Sequence, residues 1–266
     1  MADEETLLGG GNMTEVVRVG DTVRRTAGPW SSTIHDLLRY LERHGFEATP
    51  RVLGIDDKGR EILTFIKGEV GKYPLPYYMW SDSVLDEVAR LLRRFHDLTA
   101  HYIPPDNANW QFSYPDIQKH EIICHNDFAP YNMVFVKHQP KAIIDFDTAG
   151  PGPRVWDLAY AAYCFVPLVH FGNTALQQLG LTDHRMQARR LLLFCESYGS
   201  IVQPQEVLDM VRPRLQALCS LIQESAEVGH SAFQKQIEEG HLAMYQRELQ
   251  ALRWYYPRLQ QNIGRL

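Results

Sequence analysis

Residues 121–150 read EIICHNDFAPYNMVFVKHQPKAIIDFDTAG, and the rest of the chain is read outward from them. The apolar run Ile122–Cys124 feeds His125, Asn126 and Asp127 into a loop marked by Pro130. Asn132 follows, then a strand-like segment Met133–Val136, a turn over 137–140 and a second strand, 142–144, that ends on Asp145. Two short antiparallel strands fold the chain back on itself, so Asp127, Asn132 and Asp145 are expected at one end of a hairpin. Asp and Asn also favour turns for their own hydrogen-bonding reasons. Either half of the pattern alone fits that account; both halves in order, with strands between them, do not.

Such a trio suits phosphoryl transfer. One carboxylate can orient a hydroxyl and accept its proton, while an amide oxygen and a second carboxylate hold magnesium against phosphates. The pattern H-x-D-x-x-x-x-N followed by I-D-F-D resembles the aminoglycoside phosphotransferase and choline kinase superfamily, relatives of the protein kinases. The resemblance implies that Asp127 is the catalytic base, that Asn132 and Asp145 are metal ligands, and that His125 braces the loop. Asp147 falls where that superfamily often has a second acidic residue.

Length and composition agree with such a molecule. A chain of 266 residues can hold two lobes, and 45% apolar with 22% charged residues is ordinary for a globular protein. A net charge of −5 argues against a dedicated nucleic-acid binder. The start, MADEET, lacks the basic and apolar regions of a signal peptide, and the apolar stretch 158–171 is too short to span a bilayer. No membrane association and a cytoplasmic location are therefore expected. Cys124, Cys164, Cys195 and Cys219 show neither C-x-x-C nor metal-ligand spacing, so free thiols are expected. Oligomeric state is not set by the sequence.

Upstream, LLGGGNMTEVVRV places Gly10, Gly11 and Asn12 before a β-rich run, where small residues let backbone amides approach phosphates. Val16–Val19 and 22–25, joined at Gly20-Asp21, form a hairpin. Related phosphotransferases carry a basic residue near the end of this second strand; register selects Arg24, with Arg25 in reserve. Ile34, Leu37, Leu38 and Leu41 define an amphipathic helix after caps at 31–33. In the family that helix supplies a glutamate to pair with the basic residue, and His35 stands at the matching position here. Strands over 51–55 and 61–66 follow, and the resemblance makes Thr64, Phe65 and Ile66 the contacts for a nucleotide base.

Beyond residue 67 the pattern turns helical. Apolar spacing gives a helix over 83–99, one after Pro153 that opens near Asp157, and others over 183–198, 205–227 and 231–255. The resemblance makes Asp157 a brace for the catalytic loop. The aromatic segment GKYPLPYYMW at 71–80 reads as packing between lobes.

The expected fold is α+β: a two-lobed protein-kinase-like structure with a small β-rich N-lobe over 1–67 and a larger, mainly helical C-lobe over 68–266. The expected activity is phosphorylation of a hydroxyl on a small molecule, with Mg2+ as cofactor and ATP or GTP as donor. An aminoglycoside, another antibiotic-like compound or a small amino alcohol would be the acceptor, which would make antibiotic resistance one outcome. Protein-kinase activity is disfavoured, because Phe-Asp rather than Phe-Gly follows Asp145 and no A-P-E segment follows. The alternative is a weak or inactive kinase-like nucleotide-binding module, favoured by the missing helix glutamate.

Overall fold

The computed structural model describes residues 5–8, 16–169 and 174–266. Its contacts divide the chain into two compact units, Met1–Gly71 with Arg94–Pro153, and Lys72–Arg93 with Arg154–Leu266. That grouping is spatial, whereas the expected lobe boundary at 67/68 is drawn along the chain.

The first unit is built on a five-stranded antiparallel sheet of order β1-β2-β3-β5-β4. Its strands are β1 (Glu5–Leu7), β2 (Val16–Val19), β3 (Thr22–Thr26), β4 (Val52–Ile55) and β5 (Arg60–Thr64). The β4–β5 turn closes because the Asp56 carboxylate accepts from the Lys58 and Arg60 amides while Gly59 takes φ +74°. Helix α1 (Ser31–Arg43) buries Ile34, Leu37, Leu38 and Leu41 on one stripe, the spacing that predicted it. Ser31 is the first helical residue, and its hydroxyl accepts from the Gly28 amide instead of capping from outside.

The same unit contains the 121–150 stretch. Strand β8 (Met133–Val136) pairs with β9 (Gln139–Ile143) on one side and with the short β6 (Glu69–Val70) on the other. The β8–β9 turn runs through Lys137 and His138, both at positive φ, as a tight two-residue hairpin connection requires. Strand β7 (Ile122–Cys124) pairs with β10 (Gly150–Gly152). Gly150 has no freedom to change, since a Cβ there would sit 1.8 Å from the Phe112 carbonyl oxygen.

The second unit is helical. Helix α6 (Pro204–Glu227) packs on α3 (Arg154–Phe165), α7 (Ser231–Glu238) and α8 (His241–Ile263), and α8 also packs on α5 (His184–Tyr198). A short α4 (Thr174–Gln178) precedes α5, and α2 (Asp82–Thr99) is shared between the two units. Buried Arg190 ties its own surroundings together, donating to Asp82 and to the Trp80 and Phe165 carbonyls. The single helix expected over 231–255 is two: Gly240 at φ +84° breaks it, and α8 then runs on to Ile263. Pro213 lies inside α6 without ending it. All four cysteines are free, with Cys124, Cys164 and Cys195 buried.

Candidate active site

The base of the β8–β9 hairpin gathers the expected trio. Backbone and near-backbone bonds hold its two sides together: Ile144 N–H donates to the Asn132 carbonyl at 2.9 Å, and Thr148 Oγ1 to the His125 carbonyl at 2.9 Å. Asn126 Nδ2 donates to the Thr148 carbonyl at 2.8 Å. His125 is fully buried, takes the Asp127 amide at Nδ1 and lies 3.1 Å from the Ile144 carbonyl at Nε2. That pair of contacts fits a neutral ring with the proton on Nε2, and its edge-on contact with Phe146 fixes the ring plane.

Asp127 is half-buried. Its Oδ2 accepts from Asn132 Nδ2 at 2.7 Å, and its Oδ1 accepts from the Tyr131 hydroxyl at 2.6 Å. Asn132 Nδ2 also reaches the Asp127 main-chain oxygen at 3.0 Å, so the amide nitrogen is committed inward and the amide oxygen is left to face away. Asn126 and Asp145, flanking the site, both adopt left-handed backbone conformations, at φ 65° and 64°. Asn and Asp tolerate that region better than other side chains, and such outliers concentrate at functional sites.

Asp145 and Asp147 receive one guanidinium. Arg25 on β3 donates through Nη1 to Asp145 at 2.8 Å and through Nη2 to Asp147 at 2.5 Å, while its Nε donates to Glu61 on β5. Burial opposes the Arg25 charge, but Asp147, Asp145 and Glu61 outweigh it and raise its pKa above the ordinary value. Burial likewise pushes the Asp147 carboxyl up to about 6; repulsion from Asp145 and Glu61 adds to the rise, and Arg25 opposes it. The Asp145 side chain is 49% exposed and open to a ligand.

Arg24, the expected phosphate contact, is elsewhere. It lies on the other face of β3, with its Nε 3.9 Å from Asp56. Strand alternation separates neighbours onto opposite faces, and the buried face holds Leu63 and Glu61 directly across from Val23 and Arg25. Arg24 and Arg25 therefore lie on opposite faces of β3, and Arg25, the reserve choice, is the one that meets Asp145 and Asp147. Glu61 is the residue that sequence reading missed; the one available signal was a carboxylate in register with the buried leucine of its strand.

The other expected positions divide. Gly10, Gly11 and Asn12 lie outside the described residues. The Thr64 amide donates to the Arg51 carbonyl and the Phe65 amide to the Asp21 carbonyl, so those two donors are spent within the sheet. Asp157 is fully buried in the first turn of α3, in the second unit. Among the described residues, no group of three or more His, Cys, Asp or Glu side chains is arranged to hold a metal alone. Asn132 and Asp145 fit a hard cation with oxygen ligands that draws most of its shell from a bound phosphate and water.

The sheet, the helices and this site together define a two-lobed, protein-kinase-like α+β phosphotransferase fold. The chain belongs to the phosphotransferase enzyme family, whose profile matches residues 105–189, and the resemblance read from the sequence is borne out. A trifolitoxin immunity protein of Rhizobium leguminosarum bv. trifolii is 38% identical over 203 residues, covering 75% of each chain. Among solved structures, ADP-bound aminoglycoside phosphotransferase APH(2'')-Ib matches with a TM-score of 0.57 at 14% identity, covering 92% of both chains. A choline kinase from Cryptosporidium parvum Iowa II matches at 0.57 and 12%, covering 96% of this chain and 94% of that one. At those identities the two structures speak for the fold.

Proposed function

We propose that the chain is an ATP- and Mg2+-dependent phosphotransferase that phosphorylates a hydroxyl group of a small molecule. The observation that carries this reading is the Asp127–Asn132 pair at one hairpin end, tied by the Ile144 N–H to Asn132 carbonyl bond to the residue before a half-exposed Asp145. Asp127 orients the acceptor hydroxyl and takes its proton. Asn132 and Asp145 hold the cation, which when bound neutralises charge on the transferring phosphoryl group. Arg25 steadies phosphate oxygens through its two terminal nitrogens, a task suited to its planar fork. The nucleotide base is received near Ile66, because the Thr64 and Phe65 amides are already engaged. His125 acts as a support of the loop.

The acceptor is proposed to be an antibiotic-like or toxin-like compound carrying a hydroxyl, a reading supported by the 38% identical trifolitoxin immunity protein. The test is nucleoside-diphosphate release from ATP across a panel of hydroxylated antibiotics, amino alcohols and trifolitoxin, each scored against Asp127→Asn. Release above background with one acceptor, abolished in the variant, is expected. Release equal in both proteins would overturn the reading.

A further inference from the structure

Arg25 and Glu61 stand directly opposite each other in the β3–β5 ladder, and both are buried, at 8% and 1% exposure. Glu61 uses both carboxylate oxygens: Oε1 accepts from Arg25 Nε, and Oε2 lies 2.6 Å from His35 Nε2 on α1. His35 is itself buried. Taking a carboxylate out of water is costly unless it is paired and hydrogen-bonded, and this one is held by a strand neighbour and a helix together. Burial works against its charge, yet His35 and Arg25 hold its pKa below the ordinary carboxylate value.

The geometry of the guanidinium gives this arrangement a purpose. An arginine gripped at Nε cannot swing about its long side chain, and its two terminal nitrogens then point one way. Here they point at Asp145 and Asp147. Without the grip at Nε, the fork would be anchored only by those two carboxylates, the groups facing any incoming ligand. With it, phosphate oxygens can engage Nη1 and Nη2 while Arg25 keeps its place.

We propose that Glu61 is the positioning residue for a phosphate-binding Arg25, a carboxylate supplied from strand β5 where His35 occupies the helix. His35 ties Glu61 to α1, so that the helix and the phosphate contact move as one body. This assignment rests on the phosphotransferase reading.

Calorimetric titration with Mg·ADP and with adenosine tests it, using wild type, Glu61→Gln, Arg25→Ala and the double variant His35→Glu/Glu61→Gln. Wild type binds Mg·ADP. Glu61→Gln binds it about 10–100-fold more weakly, the size of loss met when the partner that orients a metal-ligating side chain is removed, while adenosine affinity is unchanged. The double variant returns a carboxylate from the helix side and recovers part of the loss. Undiminished Mg·ADP binding by Glu61→Gln overturns the proposal and leaves the phosphotransferase reading standing; so does an equal loss for adenosine, which marks general damage. If Glu61→Gln does not fold, the double variant decides, and binding as weak as that of Arg25→Ala overturns the proposal. No Mg·ADP binding by wild type overturns both.

Discussion

The hairpin base and the β3–β5 face each assemble polar groups around a carboxylate, by opposite routes. At the hairpin, Asn132 and Tyr131 reach the Asp127 carboxylate from five and four residues away. On the sheet, Arg25 meets Glu61 across 36 residues and Asp145 across 120. The first set is local and survives anything that preserves one loop. The second exists only while the whole ladder keeps register, because a slip of one residue would exchange Arg25 for Arg24. Chemistry is therefore expected to fail most sharply at the hairpin, and ligand affinity at the sheet.

The largest effect tests the local half. Asp127→Asn keeps the shape of the side chain and one acceptor oxygen but removes the proposed base, so kcat should fall roughly 10²–10⁴-fold, the usual range for general-base loss. Nucleotide affinity should stay near that of wild type. A variant with unaltered kcat on its true acceptor removes Asp127 from the mechanism. Next is the metal requirement. Nucleotide at a hundredfold excess over Kd stabilises a protein by about 2.7 kcal/mol, and this increment should need magnesium and largely vanish in Asp145→Asn. Thermal shifts that are equal with magnesium and with chelator would sink the ligand assignment.

The third test separates the two faces of one strand. Hydrogen bonds to charged groups contribute about 1.5–3 kcal/mol, so Arg25→Ala should weaken Mg·ADP binding by roughly 10–100-fold. Arg24→Ala, which loses only a 3.9 Å contact with Asp56, should change it little. The reverse ranking would mean that Arg24, the choice of strand counting, binds phosphate after all.

The two routes also explain what could be read from the chain before any coordinates. His125, Asp127, Asn132 and Asp145 sit in one ordered motif whose spacing is set by a short hairpin, so motif and geometry were legible together. Fold class was legible for the same reason, since α1, β5 and the helices of the second unit follow plain 3.6- and 2-residue periods. Strand alternation narrows Arg24 and Arg25 to two faces, but cannot say which face is buried until the partner strands are known. Glu61 was invisible because its meaning lies in a cross-strand pairing. The break at Gly240 was missed because apolar spacing continues on both sides of it, and only the backbone turn at φ +84° reveals two helices.

Tyr131 sharpens the contrast at the smallest scale, since it lies inside the most legible stretch and was still not foreseen. Its hydroxyl donates to Asp127 Oδ1 at 2.6 Å, while Asn132 occupies Oδ2. Asp127 therefore has both oxygens engaged before any acceptor arrives. If the phenol only holds the carboxylate in its rotamer, Tyr131→Phe leaves the base mobile and kcat falls. If it instead marks the place where an acceptor hydroxyl binds, the variant frees that oxygen and the acceptor KM falls. The Asn132 bonds to both the side chain and the main chain of Asp127 already fix its orientation. We therefore expect the second outcome: KM for the acceptor lowered a few-fold, about 1 kcal/mol for one hydrogen bond no longer displaced, with kcat and Mg·ADP affinity unchanged. Steady-state kinetics with both substrates varied distinguishes the cases. A fall in kcat at constant KM would instead make Tyr131 part of the local machinery that holds the base.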